Sequence, residues 1–476
     1  MHNPIAISNV VHAMVNPSIF REYDIRGLAD VDFAGESLEQ LALGLCSWYR
    51  DHQVGTILLA HDCRTHSPRI METISEVFLR HGIHVLSIGH CTTPCFYHAC
   101  HHLDVDAGIM VTASHNPAPD NGLKLMLGKE TLFGRQIQEI REKTEWARNN
   151  PASVSGERHN REHIPAYCAD LRSKIALGSR KLKVVVDCGN GSTGPIADLL
   201  FSVFQEHINI IPMFFQPDGT FPNHEADPVK PKNLVSLQQS VLQEHADLGI
   251  AFDGDGDRIG VVDEHGNVIF GDMLMILFWR EIMPKYLGAI GLVEVKCSQL
   301  LFDEIAHLGG QPEFCRTGHS LIKARMRETN AVFTGEMSGH IFFADEYYGF
   351  DDALYAALRL LRMLSWSDQP LSTMLSDLPK VYNTPEIRIP CADTEKFDVV
   401  KALSDRLGSE YPVVDVDGVR VVFPEGWGLF RASNTQAAIV ARCEATSAEK
   451  LEEYVQLLNA AYQTVQPEQT IAWLLS

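Results

Sequence analysis

The chain lacks the long hydrophobic runs of a protein that crosses a membrane on α-helices. A spanning helix needs about 18 or more apolar residues in succession, and the longest such run, 273–279, has the size of a buried core segment. The N-terminus carries no Lys or Arg before Arg21, and Asn9 and His12 interrupt its apolar residues, so it does not match a secretory signal. We therefore expect a cytoplasmic protein with no membrane partner.

Positive charge is also scarce. The chain has 40 Lys and Arg against 61 Asp and Glu, a formal net charge of −21. The average surface of such a protein repels a phosphate backbone, so we expect no nucleic-acid partner. A small anionic substrate is not excluded, because it meets only the charges of its own pocket.

The cysteines do not show the spacing of a disulfide framework. There are 11, an odd number scattered along the chain, which predicts reduced thiols in the cytosol. A Cys- and His-rich run at 90–102 suggests zinc at first sight, but it lacks the C-x₂-C pairs of structural zinc sites. A Thr-Pro pair within it is typical of a helix start. We interpret the run as a helix with Cys95, His98 and His102 on one face.

The composition is that of a globular protein of three or four domains, with 45% hydrophobic and 21% charged residues. A faint internal repeat runs through the chain. Three times an apolar run ends in a polar residue and a cysteine, at 57–63, 184–188 and 292–297. Coincidence is the alternative, but each run is followed, after a helical stretch, by a second apolar run that opens into a polar loop. These polar loops lie at 112–117, 253–258 and 335–340.

Short apolar runs that alternate with helical patterns predict βαβ units around largely parallel, buried sheets. Ligands of such sheets bind beyond the carboxyl ends of the strands, where the three polar loops lie. From about Lys380 the pattern changes, and alternation of apolar and polar residues around an Asp-Gly pair at 417–418 predicts a β-hairpin in a smaller α+β domain. We expect linkers at 148–160 and 365–370 and a turn at 264–267.

Three aspartates alternate with glycines in Asp-Gly-Asp-Gly-Asp-Arg at 253–258. Carboxylates in this arrangement can point at one hard cation, and oxygen ligands suit Mg²⁺ or Ca²⁺. An EF-hand is the alternative, since Glu264 falls at its twelfth position, but Arg258 stands where that loop requires Gly. In an ordinary solvated turn without a counter-ion, the three carboxylates would repel one another. The motif therefore predicts a metal site with room for a phosphate oxygen.

Ser114 follows an apolar run, within Thr-Ala-Ser-His-Asn-Pro at 112–117. A hydroxyl on an exposed loop at the end of a strand can carry a transferable group. His115 suggests a general base, although neighbours in sequence rarely point at each other and a triad is recognised by its geometry. The Gly-x-Ser-x-Gly elbow of α/β-hydrolases is absent. The alternative interpretation, that Ser114 is an ordinary loop serine without a chemical role, remains open.

Two other loops are weaker candidates. Gly-Glu-Met-Ser-Gly-His at 335–340 offers groups that hydrogen-bond a polyol from several sides. Arg-Ala-Ser-Asn-Thr at 431–435 offers a guanidinium, hydroxyls, an amide and backbone N–H groups to a phosphate. Taken alone, either is also compatible with a plain loop.

Together the four loops resemble those of the α-D-phosphohexomutase superfamily, specifically its bacterial phosphomannomutase/phosphoglucomutase group. They occur in the family order, and the similarity runs from 20–27 (Phe-Arg-Glu-Tyr-Asp-Ile-Arg-Gly) to about Glu444. The resemblance implies an α/β fold with four domains around a central cleft: three similar mixed α/β domains plus a small C-terminal α+β domain. The implied domains are 1–160 with the phosphoserine loop, 161–265 with the metal-binding loop, 266–375 with the sugar-binding loop and 376–476 with the phosphate-binding loop.

The resemblance also implies roles for individual residues. It implies that Ser114 is phosphorylated and that Mg²⁺ is bound by Asp253, Asp255 and Asp257 with Ser114. The implied catalytic residues are Ser114, Lys124, His319, Arg26, His115 and Arg258, of which Lys124 and His319 are the candidates for acid/base assistance. The implied substrate-binding residues are Tyr23, Lys296, Glu336, Ser338, His340, Arg431, Ser433, Asn434 and Thr435.

The implied reaction interconverts hexose 6-phosphate and hexose 1-phosphate through a phosphoserine and a hexose 1,6-bisphosphate, in a monomer whose partner is a phosphosugar. Mannose is favoured and glucose is also expected, because Met337 matches mannose-handling members whereas glucosamine-type enzymes tend to have Gln there. The alternatives are a phosphoglucosamine mutase, a serine-phosphoenzyme phosphatase and a non-catalytic member of the family. The last is disfavoured because no signature residue is missing.

Overall fold

The computed structural model describes residues 15–434 and 436–473. Within that part, the chain groups into two compact units. The first contains the described residues up to His90, Cys100–Ala113 and Pro117–Glu162; the second contains Cys91–Ala99, Ser114–Asn116 and the chain from His163 onward. The predictions for Asn9, His12 and Thr435 concern positions outside the described residues.

The first unit contains a mixed sheet with helices packed on it. In chain order its elements are β1 (Ile25–Leu28), α1 (Gly35–Asp51), β2 (Thr56–His61), α2 (Ser67–Arg80), β3 (His84–His90), the end of α3 (Thr93–His102), β4 (Ala107–Val111), β5 (Asp120–Leu127), β6 (Glu130–Thr131), α4 (Arg135–Trp146) and β7 (Arg158–Asn160). The strand order is β1-β5-β4-β2-β3-β7, with β6 beside β5. β2 is parallel to β3 and β4, as the βαβ pattern predicts, whereas β5 is antiparallel to β4 and β1.

The polar segment 148–160 is not a linker over its whole length. Its last residues form β7, which pairs in parallel with β3. All side chains of β7 are exposed, and besides the backbone ladder Arg158 forms an ion pair with Glu72 of α2 at 2.7 Å. A short strand without apolar residues has no alternation of hydrophobicity, and the sequence pattern therefore did not indicate it.

The Cys- and His-rich run forms α3, which begins at Thr93 as the Thr-Pro pair predicts. Cys95 and His98 are buried whereas His102 is exposed, so the predicted shared face is only partly covered. All 11 cysteines of the chain lie in the described ranges and carry free thiols.

The second unit begins with α5 and a second mixed sheet. Its first elements are α5 (Ile164–Ser173), β8 (Leu182–Asp187), α6 (Thr193–Ser202), β9 (Ile208–Met213), α7 (Pro231–Glu244), β10 (Leu248–Phe252), β11 (Ile259–Asp263) and β12 (Val268–Ile269). The strand order is β12-β11-β10-β8-β9. β8 is parallel to β9 and β10, whereas β11 is antiparallel to β10. The loop 253–258 therefore leaves the carboxyl end of a buried parallel strand.

The next region repeats the pattern with shorter strands. Its elements are α8 (Gly271–Ile282), β13 (Ile290–Glu294), α9 (Gln299–His307), β14 (Gln311–Cys315), α10 (His319–Thr329), β15 (Phe333–Gly335), β16 (Ile341–Phe343) and α11 (Ala353–Ser365). β13 and β14 form a parallel ladder and β15 and β16 an antiparallel one. A hydrogen bond from Thr334 Oγ1 to the Leu292 carbonyl (2.7 Å) joins the two ladders. The apolar run 273–279 lies in the largely buried α8.

The last region is the predicted α+β domain. Its elements are β17 (Tyr382–Asn383), β18 (Ile387–Pro390), α12 (Lys396–Gly408), β19 (Val413–Val414), β20 (Val419–Phe423), β21 (Gly426–Ala432), β22 (Ala438–Ala445) and α13 (Ala448–Val465). The strands pair antiparallel in the order β17-β22-β21-β20-β19, with β18 also on β22. β19 and β20 form the hairpin predicted around the Asp-Gly pair, with Gly418 at φ 81°.

Across residues 15–434 and 436–473, no helix has both the length and the apolar character needed to cross a bilayer.

Candidate active site

Ser114 lies in a strained turn that follows β4 in the chain. Its φ of 51° lies in the left-handed region, which costs energy for a residue with a Cβ atom. The residue is only 3% exposed, and its hydroxyl donates a hydrogen bond to Asp253 Oδ2 at 2.7 Å. Backbone strain at a buried polar residue is typical of a functional position.

His115 faces the same hydroxyl. Its Nδ1 lies 3.1 Å from Ser114 Oγ, so the expectation that these sequence neighbours point apart does not hold. Ser114 has a left-handed backbone here, and the two side chains meet in the same turn. The contact makes His115 a candidate for orienting the hydroxyl.

The three aspartates of the loop 253–258 converge. One oxygen from each of Asp253, Asp255 and Asp257 lies within 4.8 Å of the others, and all three residues are buried. Asp253 Oδ1 accepts the backbone N–H groups of Asp257 (3.0 Å) and Arg258 (3.1 Å), which folds the loop around this carboxylate. Thr93, the first residue of α3, donates from Oγ1 to Asp255 Oδ2 at 2.5 Å.

This donor set fits a divalent cation. Burial, together with Asp257 and Asp255, raises the pKa of Asp253 well above its usual range, because neighbouring negative charges in a buried site destabilise one another. A cation among the carboxylates removes this repulsion, and oxygen ligands are those that Mg²⁺ prefers. The hydroxyl of Ser114, bonded to Asp253, adds a further oxygen. The ligand roles of these residues stay a prediction.

Glycine is required where the loop 253–258 meets the turn at Ser114. A Cβ atom on Gly254 would lie 2.6 Å from the carbonyl oxygen of Ser114, closer than any side chain tolerates. Gly256 has φ 77°, a conformation that residues with a Cβ rarely adopt. The alternation of Asp and Gly in the motif therefore has a steric reason as well as a chemical one.

Glu336 and His340 connect the loop 335–340 to the loop 253–258. Glu336 accepts the backbone N–H of Gly318 at 2.8 Å, and its other oxygen lies 2.7 Å from His340 Nδ1. His340 Nε2 lies 3.2 Å from Asp257 Oδ1. Burial lowers the pKa of His340, but Asp257 and Glu336 outweigh burial and raise the pKa to about 9. Ser338 Oγ lies 3.4 Å from His340 Nδ1.

A second set of three buried ligand atoms lies beside the triplet. Among the described residues, Asp257, His340 and Asp351 each bring one such atom within 4.8 Å of the other two. Arg258 Nε, however, lies 3.2 Å from the same His340 nitrogen. Because this guanidinium would repel a cation at that nitrogen, we assign no metal to this second set.

Arg431 is held in place by Asp417. Arg431 Nε and the backbone N–H of Thr317 both donate to Asp417 Oδ2 at 3.0 Å, which ties the loop 431–435 to the segment before His319. Ser433 is buried, and its hydroxyl accepts the N–H of Gln436 at 3.2 Å. Asn434 is half-buried.

Lys296 lies between two carboxylates. Its Nζ is 3.1 Å from Glu386 Oε2 and 3.5 Å from Glu294 Oε1. Burial lowers the pKa of Lys296, but Glu294 and Glu386 outweigh burial and raise it above its usual range. The ammonium therefore stays charged and suits an anionic or hydroxyl-bearing ligand. Glu294 also accepts a hydrogen bond from Thr317 Oγ1 at 2.6 Å.

A continuous series of contacts inside the second unit joins the candidate loops. It starts at Ser114, ends at Arg431 and passes through Asp253, Asp257, His340, Glu336, Gly318, Thr317 and Asp417. The turn at Ser114 and the loops 253–258, 335–340 and 431–434 are thus joined within this unit. His319, 5% exposed, adjoins Gly318 in this series.

Three of the predicted residues lie in the first unit. Lys124 is 3% exposed in β5, opposite Met110 of β4. Arg26 lies in β1 and donates from Nη2 to Asp24 Oδ2 at 2.6 Å. Tyr23 is half-buried just before that strand. Their roles stay predictions.

The sequence patterns missed four residues that hold the site together. Thr93 and Asp417 contact residues that are far away in the sequence, and the sequence pattern indicates Asp417 only as a turn residue. Asp351 lies in a polar stretch without a distinctive pattern. Glu294 alone had a usable signal, because a charged residue inside an apolar strand needs a partner.

Four matches to one protein family cover most of the chain. Residues 17–150, 165–266 and 270–382 match the descriptions "Phosphoglucomutase/phosphomannomutase, alpha/beta/alpha domain I", "domain II" and "domain III". Residues 386–461 match "Phosphoglucomutase/phosphomannomutase, C-terminal domain". The predicted four-domain α/β architecture is thereby confirmed, whereas the residue boundaries given from the sequence stay predictions.

Individual relatives agree with this family. The chain is 40% identical over 436 residues to the phosphomannomutase/phosphoglucomutase of Pseudomonas aeruginosa PAO1, covering 91% of this chain and 93% of the relative. It is 38% identical over 452 residues to the phosphoglucomutase of Neisseria meningitidis serogroup A, covering 92% and 95%. A crystal structure of a phosphoglucomutase/phosphomannomutase family protein from Burkholderia thailandensis matches with a TM-score of 0.88 and 35% identity, covering 97% of this chain and all of the other.

Proposed function

Because the chain belongs to the phosphoglucomutase/phosphomannomutase family, we propose that it interconverts hexose 6-phosphate and hexose 1-phosphate through phosphorylated Ser114. The enzyme is an intramolecular phosphotransferase. The observation that carries the assignment is the Ser114 hydroxyl, which is hydrogen-bonded to Asp253 of the buried aspartate triplet. Contacts connect this triplet to the loop 335–340 and to Arg431.

In the first half of the proposed reaction, phosphoserine 114 gives its phosphoryl group to a free hydroxyl of a hexose monophosphate. The Oγ–P bond of Ser114 breaks while a bond forms between phosphorus and the sugar oxygen. His319 or Lys124 accepts the proton of that hydroxyl, and the Ser114 oxygen leaves with a proton that His115, 3.1 Å away, can donate. Mg²⁺ on the aspartate triplet would neutralise the charge of the transferring oxygens. The product is a hexose 1,6-bisphosphate.

In the second half, the bisphosphate turns so that its other phosphate faces Ser114. The serine hydroxyl returns its proton to His115 and bonds to that phosphorus, the sugar oxygen leaves with the proton held by His319 or Lys124, and the phosphoserine is restored. Arg431, Ser433 and Asn434 hold the phosphate that does not react. Glu336, Ser338, His340 and Lys296 hold sugar hydroxyls in either orientation, and exclusion of water protects the phosphoserine from hydrolysis.

We further propose mannose phosphates as preferred substrates and glucose phosphates as accepted ones. Relatives named for phosphomannomutase and for phosphoglucomutase support both sugars. Met337 in the sugar loop supports mannose over glucosamine. A monomeric state and a cytoplasmic location also stay predictions, and we propose that hexose 1,6-bisphosphate, the intermediate, also activates the enzyme.

A substrate panel tests the proposed function. Mannose 1-phosphate, glucose 1-phosphate and glucosamine 1-phosphate are each supplied with and without hexose 1,6-bisphosphate, and the 6-phosphates and inorganic phosphate are measured. We expect isomerisation of the mannose and glucose phosphates, enhanced by the bisphosphate, and one added phosphate in the intact mass of the protein. Preference for glucosamine 1-phosphate indicates the phosphoglucosamine mutase, and release of inorganic phosphate without isomerisation indicates the phosphatase.

Replacing Arg431 by alanine should weaken binding of the substrate phosphate. Charge-assisted hydrogen bonds to phosphate contribute about 1.5–3 kcal/mol each, so KM for the hexose phosphate should rise by about 10- to 150-fold. Steady-state kinetics with mannose 1-phosphate measure this change.

The matched control is Arg406→Ala in the same domain. Arg406 forms an exposed ion pair with Glu410, and such pairs contribute little, so its KM should equal that of the wild type. An unchanged KM in Arg431→Ala, with the protein folded, removes Arg431 from the substrate site.

A further inference from the structure

A buried carboxylate that the proposed reaction does not use lies against two histidines of the site. Asp351 is 0% exposed, and its backbone is fixed by a β-bridge to Phe342. Its Oδ2 lies 3.7 Å from His319 Nδ1 and 3.9 Å from His340 Nε2. Among the described residues, this oxygen has no hydrogen-bond donor.

The other oxygen of Asp351 is anchored. Oδ1 accepts a hydrogen bond from Lys323 Nζ at 3.0 Å, and the buried Lys323 ammonium also lies 4.1 Å from the centre of the Tyr97 ring. The ion pair compensates for the burial of both charges. The carboxylate therefore has one fixed oxygen and one oxygen directed at the histidines.

The carboxylate is fixed relative to α10. Lys323 and His319 are four residues apart on this helix, so both lie on one face of it. Asp351 meets that face at both residues, and the ring centres of His319 and His340 are 5.5 Å apart. The side chain of Asp351 is thus anchored on the face of α10 that carries His319, with its second oxygen beside the imidazole.

We propose that Asp351 is a positioning residue that orients His319 by accepting the proton of His319 Nδ1, which leaves Nε2 to the substrate hydroxyl. The inference rests on the proposed mutase function. At 3.7 Å the contact is longer than a hydrogen bond, but bonds of this kind shorten when substrate is bound. A histidine whose second nitrogen is held by a carboxylate has a fixed tautomer and ring orientation.

Asp351→Asn tests this role, because asparagine keeps the size of the side chain and its bond to Lys323 but loses the carboxylate that faces His319. We expect kcat to fall by about 10- to 100-fold with a small change in KM. In a His319→Gln background, Asp351→Asn should cost nothing further, since its effect passes through His319. Additive effects of the two substitutions, or an unchanged kcat in Asp351→Asn, overturn the proposal.

Two controls separate this role from a structural one. Asp345→Asn removes another buried carboxylate of the same region, which forms an ion pair with Arg359 at 3.0 Å; it should lower stability and leave kcat unchanged. Asp351→Asn combined with Lys323→Met should stay slow. Recovery of kcat in that double variant shows that Asp351 only balances the charge of Lys323, and overturns the proposal.

A readout without turnover distinguishes this inference from the mutase function. In protein labelled with ¹⁵N-histidine, the resonance that disappears in His319→Gln belongs to His319, and its ¹⁵N shifts report the tautomer. With mannose 1-phosphate bound, we expect the Nδ1–H tautomer in the wild type and a mixture in Asp351→Asn. The same tautomer in both proteins overturns the positioning role even when mutase activity is present. Absence of mutase activity from the wild type refutes the proposed function instead.

Discussion

Ser114→Ala is expected to lower kcat by at least about 10³-fold, because removal of an enzymic nucleophile leaves only the contribution of substrate binding and electrostatics. Alanine keeps the Cβ atom, so the strain of the left-handed backbone at this position is unchanged. The variant loses the hydrogen bond to Asp253, a loss of about 1.5–3 kcal/mol for a bond to a charged group, and the contact with His115. Turnover and the added phosphate in the intact mass should therefore disappear while the protein stays folded.

The matched control for Ser114→Ala is Ser75→Ala. Ser75 is a buried serine of α2 whose hydroxyl makes no hydrogen bond within the described chain, so its removal should change neither kcat nor the phosphate content. Both variants are compared with the wild type by thermal unfolding and by the substrate panel. Near-wild-type turnover in Ser114→Ala would falsify the assignment of the phosphoryl carrier.

The parts of the fold that could be predicted from sequence are those whose side chains report their burial. β2, β8 and β13 appeared as apolar runs, and the hairpin of β19 and β20 was indicated by its Asp-Gly turn. β7 could not be predicted, because its side chains are all exposed and none of them is apolar. In the region 271–365, the separation of the strands into two ladders could not be predicted either, since it depends on the pairing of three-residue strands.

For the site, local features could be predicted from the sequence and long-range contacts could not. Each loop motif is local, and its chemistry could be predicted from the residues it contains. The contacts that hold the loops together are long-range, such as Asp417 with Arg431 and Thr317, or Thr93 with Asp255. A single sequence does not show such contacts, because neither partner has a distinctive neighbourhood. The turn at Ser114 is a third case, in which backbone conformation overrode the expected directions of two adjacent side chains.

The electrostatics of the aspartate triplet lead to the second large effect. Asp253, Asp255 and Asp257 are buried together, and burial and mutual repulsion raise the pKa of Asp253. A site of this kind that works near neutral pH, with a phosphoserine adding more negative charge, requires a compensating cation. The activity should accordingly depend on a divalent metal.

Removal of the metal by a chelator should abolish turnover, and added Mg²⁺ should restore it. Asp255→Asn should raise the Mg²⁺ concentration needed for half-maximal activity by at least about 100-fold, since loss of a direct ligand exceeds the loss of an outer partner. Asparagine still accepts the hydrogen bond of Thr93, so the loop should keep its conformation. Samples are quenched and the hexose phosphates separated by chromatography, so that no Mg²⁺-dependent coupling enzyme enters the measurement.

Asp247→Asn is the matched control for Asp255→Asn. Asp247 precedes β10, at the opposite end of the strand from the triplet, where it pairs with Arg180 at 2.7 Å. Its substitution should lower stability without changing the Mg²⁺ requirement, so a shift seen only with Asp255→Asn is due to the metal site. Full activity in excess chelator contradicts the predicted metal requirement. A requirement that shifts equally in both variants means that Asp255 affects the metal only through the fold.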